Sequence, residues 1–294
     1  MSDDVVHTKP KRRVNVYDHL LENVLAQEES ERNPYIYYFA TNFPQLKEYR
    51  DAELPNWRSF FNKSTMKKEI TESGAMVFRV IEQLQGELQH LTDASKYKIV
   101  FFDCCSGKGF TSVMLSLLYP DSKIWMLDKD LKMNIDHIKS LPNINFEHFY
   151  IYPLRKGGFE KTLKLMDDKI KKEQALEPSR EVVGICLASH LCVHLSEVMV
   201  HIYKNLDAMR SVVLSPCCSY VNEHNKHWFD YAENLGLDLH DEETIAVYAA
   251  WTMYLYSSLK ELNREGVQVK CSMKIDPHVM SPKCHYIISS KLIK

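Results

Sequence analysis

Apolar positions along this chain change their period several times, and each change marks an element. Between Val14 and Ala26 the residues Val16, Leu20, Leu21, Val24 and Leu25 fall near one helical face, which predicts an amphipathic helix. Residues 33–61 hold no sustained period. They are dense in aromatic residues and proline (NPYIYYFATNF, PNWRSFF), a pattern that suits a packed cap or a lid over a substrate. A strong helical stripe follows over 65–91, where Met76, Val77, Val80, Ile81, Leu84 and Leu88 recur at spacings of three and four, with Ser64 or Thr65 as candidate caps.

From there short apolar runs alternate with helical stripes. Strands are predicted at 98–103, 123–127, 145–151, 182–188 and 211–216, and helices near 109–118, 131–139, 158–173, 194–206 and 225–235. Such alternation is the signature of a parallel sheet covered by helices on both faces. Residues 241–262 read as a long helix bearing Tyr248, Trp251, Tyr254 and Tyr256, which suit core packing or the lining of a cleft. The last segment breaks the alternation of elements. Val267, Val269, Cys271, Met273 and Ile275 interleave strictly with polar residues, and a second strand follows at 285–292, so an antiparallel hairpin closes the sheet.

The first predicted strand carries the most informative chemistry. In IVFFDCCSGKGFTSVML (residues 99–115) an apolar run ends in Asp103, a turn bearing Gly107 and Gly109 follows, and a helix begins. Glycines there permit backbone conformations and close approaches that a side chain would block, so a ligand can lie on the turn near the positive end of the helix. A dinucleotide fingerprint fits poorly, because Cys105 stands at the first glycine place and Ser112 near the third; an ordinary strand-to-helix turn remains the alternative. The second strand ends in Asp128, 25 residues beyond Asp103. A carboxylate at that position can accept two hydrogen bonds from a ribose diol.

Composition narrows the field. The 294 residues suffice for one enlarged domain with a full core, and a formal charge of −2 provides no global field for a nucleic-acid backbone. No apolar leader with a cleavage site and no apolar run of about 18 residues occurs, so a cytosolic or nuclear protein without a membrane span is expected. The eight cysteines lie mostly within apolar segments and form no C-x-x-C pair, which reads as reduced core thiols with no metal site. Cys192, His190 and Cys217 are the one set that a fold could gather around a metal. Lys108 reads as solvated, and the basic run HTKPKRR (residues 7–13) as a solvated tail.

In an open α/β sheet the ligand lies beyond the carboxyl ends of the strands. The fourth predicted strand ends in Ala188, Ser189, His190, Leu191 and Cys192, and the fifth in Ser215, Pro216, Cys217 and Cys218. His190 is the candidate general base, since its unperturbed pKa lies near working pH; the competing role is a structural hydrogen-bond donor. The end of the third strand, Tyr150, Ile151 and Tyr152, is a candidate cover for an adenine ring.

Taken together, the first turn is similar to the D-x-G-x-G-x-G turn of class I methyltransferases. Four stretches carry a narrower resemblance: Met66, Lys67, Lys68 and Glu69 before the leading helix; DCCSGKGF; SHLCVHLSE, which resembles an H-x-C-G segment; and SPCCSY, which resembles a P-C-C segment. They resemble the methyltransferase domain shared by the acceptor-stem tRNA 2′-O-methyltransferases, the methyltransferase-like 25 proteins and the glutathione S-transferase C-terminal domain-containing protein. The resemblance implies an α/β fold with a seven-stranded Rossmann-like sheet, mostly parallel with an antiparallel last strand. An N-terminal helical extension precedes it, so that 1–13 is a flexible basic tail, 14–63 a helical and aromatic cap, and 64–294 the methyltransferase domain. It also implies S-adenosyl-L-methionine as cofactor, held by Asp103, Cys105, Gly107, Gly109 and Asp128, with Lys67 and Lys68 approaching from the leading helix. His190, Cys192 and Cys217, with Pro216, would surround the reacting end. The chain departs from the pattern at Cys105 and Val193, which stand where the family has glycine, and it lacks the zinc modules of the tRNA enzymes. The expected function is methyl transfer to an acceptor, RNA first and a protein or small molecule next, with no obligate protein partner. The competing expectation is a noncatalytic binding module in which Cys105 obstructs the cofactor, and a dehydrogenase is the third.

Overall fold

A computed structural model describes residues 16–151, 158–192, 194–218, 245–262, 266–281 and 284–293, together with 231, 234 and 236. The expected tail over 1–13, Tyr152, Val193 and most of the helix expected near 225–235 lie outside the described residues, as do the side chains of His190 and Cys192.

Seven strands form one sheet: β1 (Tyr97–Cys104), β2 (Lys123–Asp128), β3 (Ile144–His148), β4 (Glu181–Cys192), β5 (Met209–Cys218), β6 (Val267–Ile275) and β7 (His285–Ile293). Their order is β3-β2-β1-β4-β5-β7-β6. β1 to β5 pair in parallel, and β7 lies antiparallel to both β5 and β6. This is the expected Rossmann-like sheet of seven strands, mostly parallel with an antiparallel last strand. The chain builds outward from β1 through β2 to β3, then returns to lay β4 against the other edge of β1. The crevice between the carboxyl ends of β1 and β4 is therefore the topological switch point, where open α/β sheets bind ligands.

The strands are apolar on both faces because helices cover both. Phe101 points into one core with α5 (Met66–Gln85) and α6 (Phe110–Leu118), while Val100, Phe102 and Cys104 point into the other, which holds Met166 of α7 (Gly158–Leu176), Val198 of α8 (His194–Asn205) and Trp251 of α9 (Ile245–Lys260). Of α9's aromatics, Tyr248 and Trp251 are buried in packing, while Tyr254 and Tyr256 are half-buried and Tyr254 lines a cavity.

The amphipathic helix predicted between Val14 and Ala26 forms as α1 (Val16–Ala26), and the aperiodic aromatic stretch after it is a packed cap of short helices: α2 (Pro34–Asn42), α3 (Pro44–Asp51) and α4 (Arg58–Phe61). Its pattern was illegible as helix because proline restarts the chain at residues 34, 44 and 55, leaving segments too short to show a period. Trp57 anchors the cap, fully buried and stacked between Tyr49 (4.7 Å) and Phe61 (5.6 Å). A second tie joins cap to sheet edge, where the Arg79 guanidinium donates to Asp276 (2.6 Å) and the Tyr35 hydroxyl donates to the same buried carboxylate.

Two local expectations are corrected. Residues 131–139 form no α-helix; a single 3-10 turn spans Asp136–Ser140, because Asp130 and Asn134 each accept a backbone N–H two residues on and so favour turns. Thr65 stands at the start of α5 without capping it through its side chain; its hydroxyl donates instead to Glu69 (3.4 Å).

Candidate functional site

The turn after β1 runs through residues 105–109 and is pinned beneath by β2. The Cys105 N–H donates to the Leu127 carbonyl at 2.8 Å, and the Gly109 N–H closes the turn on Ser106 at 2.9 Å. Cys105, Gly107 and Gly109 all take left-handed φ values of +56°, +52° and +75°. The chain thus keeps a glycine-type conformation at Cys105, where an L side chain is strained. Cys105→Gly is accordingly expected to raise stability by about 1 kcal/mol by relieving that strain. Chemical denaturation of both proteins checks this, and an unchanged or lower midpoint contradicts it.

The two glycines serve different ends. A Cβ on Gly109 would sit 2.6 Å from Met126 Cε, so its missing side chain lets the turn pack on β2. A Cβ on Gly107 would meet no atom within 4 Å, so its missing side chain opens space above the backbone.

Asp128 links the two halves of the site. Its Oδ2 accepts the Gly107 N–H at 3.0 Å and its Oδ1 accepts the Asp130 N–H at 3.0 Å. A carboxylate has about four acceptor positions, so capacity for a diol remains. Just beyond the ends of β2 and β3, Leu131 is 71% exposed and Tyr150 is 45% exposed. Leu131 escaped the sequence reading; the signal was a single apolar residue in the polar run DKDLK.

Asp103 sits under the turn, 3% exposed, where its Oδ2 accepts the Ser112 hydroxyl at 2.6 Å. Burial pushes its carboxyl up to about 7, with the neighbouring Asp128 adding to the shift and hydrogen bonds from Ser112 opposing it. From about pH 4 to 7 the folded state then holds a proton that the unfolded state has released. Stability is present below that window and declines as pH rises through it, by about 1.4 kcal/mol per pH unit for one such group. Asp103→Asn keeps an acceptor for Ser112 and removes the titration. Its melting temperature is expected to exceed that of the parent at pH 8 and to match it near pH 4; a loss at both pH values contradicts the assignment.

Lys108 is not solvated. Its ammonium donates to the Ser59 carbonyl at 2.9 Å, and burial together with nearby Lys63 lowers its pKa. The Lys108 carbonyl accepts the Nε2–H of fully buried His137 at 2.9 Å, and Phe60 stacks on Phe110 at 4.1 Å. The cap is therefore tied to the turn through Ser59 and to the start of α6 through Phe60, while His137 holds the turn from the segment after β2. His137, whose pKa burial lowers to about 4, is a neutral donor at physiological pH.

Lys67 and Lys68 are exposed on the first turn of α5. Lys68 pairs with Glu72 (3.6 Å), and Lys67 lines a groove with His19, Leu20 and Ile36, none of which belongs to the glycine turn. The cap residues that meet the turn are instead Ser59, Phe60 and Lys63, the last paired with Glu69 at 2.7 Å. Proximity of these residues was hidden in sequence by more than 40 intervening positions.

The other wall comes from β4 and β5. Cys104 ends β1 opposite Ala188, so β4 overshoots it through residues 189–192, and Leu191 pairs with Pro216 across an irregularity in register. The backbones of His190 and Cys192 thus stand beside the turn on the strand adjoining that of Cys217. Cys217 is buried, and the Pro216 carbonyl is held by the Tyr248 hydroxyl at 2.8 Å. Beneath the turn, Cys104 and Cys186 bring their sulfurs to 3.7 Å; that contact and burial hold the Cys104 thiol well above its ordinary range, which makes it an inert filler.

Two buried hydroxyls beside the turn, Ser106 Oγ and Ser59 Oγ, have no hydrogen-bond partner among the described residues. Among the described residues no helix is long and apolar enough to cross a membrane.

No protein-family model and no curated protein sequence matches the chain. Solved structures do. A precorrin-6y C5,15-methyltransferase from Geobacter metallireducens is 13% identical, with a TM-score of 0.34 over 74% of this chain and 86% of its own. The plantazolicin methyltransferase BpumL, solved with SAH, is 10% identical, with a TM-score of 0.37 over 85% of this chain and 98% of its own. The methyltransferase domain of bacterial CtHen1 is 14% identical, with a TM-score of 0.35 over 73% of this chain and all of its own.

Proposed function

We propose that this chain is an S-adenosylmethionine-dependent methyltransferase. The observation that carries the reading is the pairing of open space over Gly107 with the Asp128 carboxylate that holds the Gly107 N–H. An unobstructed peptide bend and a diol acceptor from the neighbouring strand meet at the switch point of the sheet, the arrangement that a nucleoside with a charged tail requires. The residues present fit the nucleoside part of the cofactor: Asp128 would hold the ribose, and Leu131 with Tyr150 the faces of the adenine. Ionised Asp103 would supply negative charge beneath the ammonium.

The bound cofactor supplies a methyl group on a sulfonium, a leaving group already activated. The protein's share is then alignment of acceptor, carbon and sulfur, which can provide about 7–11 kcal/mol of barrier reduction without a conspicuous acid–base triad. The overshoot of β4 sets residues 189–192 beside the turn, where His190 would take a proton from a hydroxyl acceptor and Cys192, Pro216 and Cys217 would shape the entrance. On this reading residues 64–294 form the catalytic domain and 14–63 a cap that braces its turn. RNA is the leading acceptor, with a protein or small molecule as the alternatives.

The second reading, a binding module without catalysis, is favoured by Cys105 in the glycine position. Its left-handed φ supports the first reading instead, because the backbone course of the turn is retained. Transfer of labelled methyl from S-adenosylmethionine into fractionated cell extract decides between them. Label is expected in the RNA fraction; label in protein or small molecules changes the acceptor, and no label in any fraction at high enzyme concentration rejects catalysis.

A further inference from the structure

His137 lies in the 3-10 turn Asp136–Ser140 that follows β2, and its side chain is fully buried. Its ring packs against two aromatic side chains of the cap, with centroids 5.3 Å from Trp57 and 4.9 Å from Phe60. The same 3-10 turn also holds the cap by hydrogen bonds, since the Ser140 hydroxyl accepts from Asn56 Nδ2 at 3.0 Å and from Trp57 Nε1 at 3.3 Å. Cap, 3-10 turn and glycine turn therefore meet at one imidazole.

The ring's protonation follows from its surroundings. Nε2 lies 2.9 Å from the Lys108 carbonyl, and a carbonyl can only accept, so Nε2 carries the proton. Burial keeps the ring neutral, and Nδ1 is left as a bare lone pair, buried with no partner among the described residues. An orphaned buried acceptor costs at least as much as one neutral hydrogen bond contributes, so for stability alone an apolar side chain would serve as well. What an apolar side chain would not supply is a fixed direction for the Lys108 carbonyl. That carbonyl belongs to the peptide joining Lys108 to Gly109, whose N–H donates to the Ser106 carbonyl at 2.9 Å, so this peptide is gripped at both ends. One peptide lies between it and the Gly107 N–H that Asp128 holds. Glycine on either side of Lys108, at φ +52° and +75°, makes rotation of these peptides easy, so the course of the turn depends on its hydrogen-bonded anchors.

We propose that His137 is a positioning residue for the cofactor: seated among the cap aromatics, it holds the Lys108 carbonyl and so keeps the glycine turn in the course that the nucleoside requires. The cofactor clause rests on the methyltransferase reading; the anchoring of the turn does not. The test uses the full chain and three variants. His137→Phe and His137→Leu remove the donor, one keeping a ring and the other a similar volume, and His137→Gln returns an N–H to about the place of Nε2. Each is titrated with S-adenosylmethionine by calorimetry, beside amide hydrogen exchange over residues 105–109 and thermal unfolding.

Affinity is expected to fall about tenfold or more in both donorless variants and to stay within about threefold of the parent in His137→Gln. Exchange in the turn is expected to accelerate in the first two variants alone. A merely structural histidine would make affinity follow the thermal midpoint through the series, whereas a positioning histidine makes it follow the donor. Donorless variants that bind as the parent does, or losses that track the midpoint across all three, overturn the proposal. If even the parent takes up no S-adenosylmethionine, the methyltransferase reading and the cofactor clause fall together; exchange that depends on the donor then still upholds the anchor, and exchange indifferent to it removes the anchor as well.

Discussion

Asp128→Ala is expected to weaken S-adenosylmethionine binding by a hundredfold or more. The carboxylate accepts one bond from the Gly107 N–H and one from the Asp130 N–H, and its remaining acceptor positions would take the ribose diol. Hydrogen bonds to a charged group contribute about 1.5–3 kcal/mol each, so losing two to the ribose costs about 3–6 kcal/mol, before the turn itself loosens. Asp128→Asn separates these contributions. It retains one acceptor oxygen but replaces the other with a donor that faces the Gly107 N–H, so it is expected to fall near alanine. Equilibrium titration of both variants, with circular dichroism to confirm folding, checks the result. Cofactor affinity unchanged in Asp128→Ala contradicts the role.

Gly109→Ala is expected to be the most destabilising single substitution in the turn. At φ +75° an L residue is strained by about 1–2 kcal/mol, and its Cβ would stand 2.6 Å from Met126 Cε and 2.9 Å from Met126 Sδ. Overpacking adds about 1–3 kcal/mol, giving a loss of about 2–5 kcal/mol in denaturant unfolding. Gly107→Ala provides the internal control. It carries the backbone strain without the clash, so it is expected to cost about half as much stability while filling the space over which the cofactor would lie. The pair therefore dissociates in opposite senses: Gly109→Ala acts mainly on the fold and Gly107→Ala mainly on binding. Equal losses of stability would show that the packing against Met126 is not what Gly109 is for.

The sheet was legible because its grammar is local. β1 and β2 announce themselves as apolar runs ending in acids, and β6 as a strict two-residue alternation that only a strand with one wet face would need. The glycine turn was legible for the same reason, since Gly107 and Gly109 sit at a strand-to-helix boundary. What escaped reading was whatever depends on contacts distant in sequence. Lys108 read as solvated because nothing nearby in the chain reveals that Ser59 presents a carbonyl to it. Asp103 read as a ligand-facing acid, and its burial beneath Ser112 emerges only when α6 folds back over β1. The overshoot of β4 past Ala188 was likewise hidden, because the polar residues Ser189 and His190 end the apolar pattern before the strand itself ends. The cap's short helices were obscured by prolines that interrupt any period, although the wealth of aromatics rightly implied burial.

The central claim is that the bend after β1 and the carboxylate at the end of β2 together hold a sulfonium nucleoside. Calorimetric titration of the full chain with S-adenosylmethionine tests it most directly. A single saturable site whose affinity Asp128→Ala lowers a hundredfold or more is the expected result. A folded protein that takes up no S-adenosylmethionine, or takes it up equally well without the Asp128 carboxylate, would contradict the account.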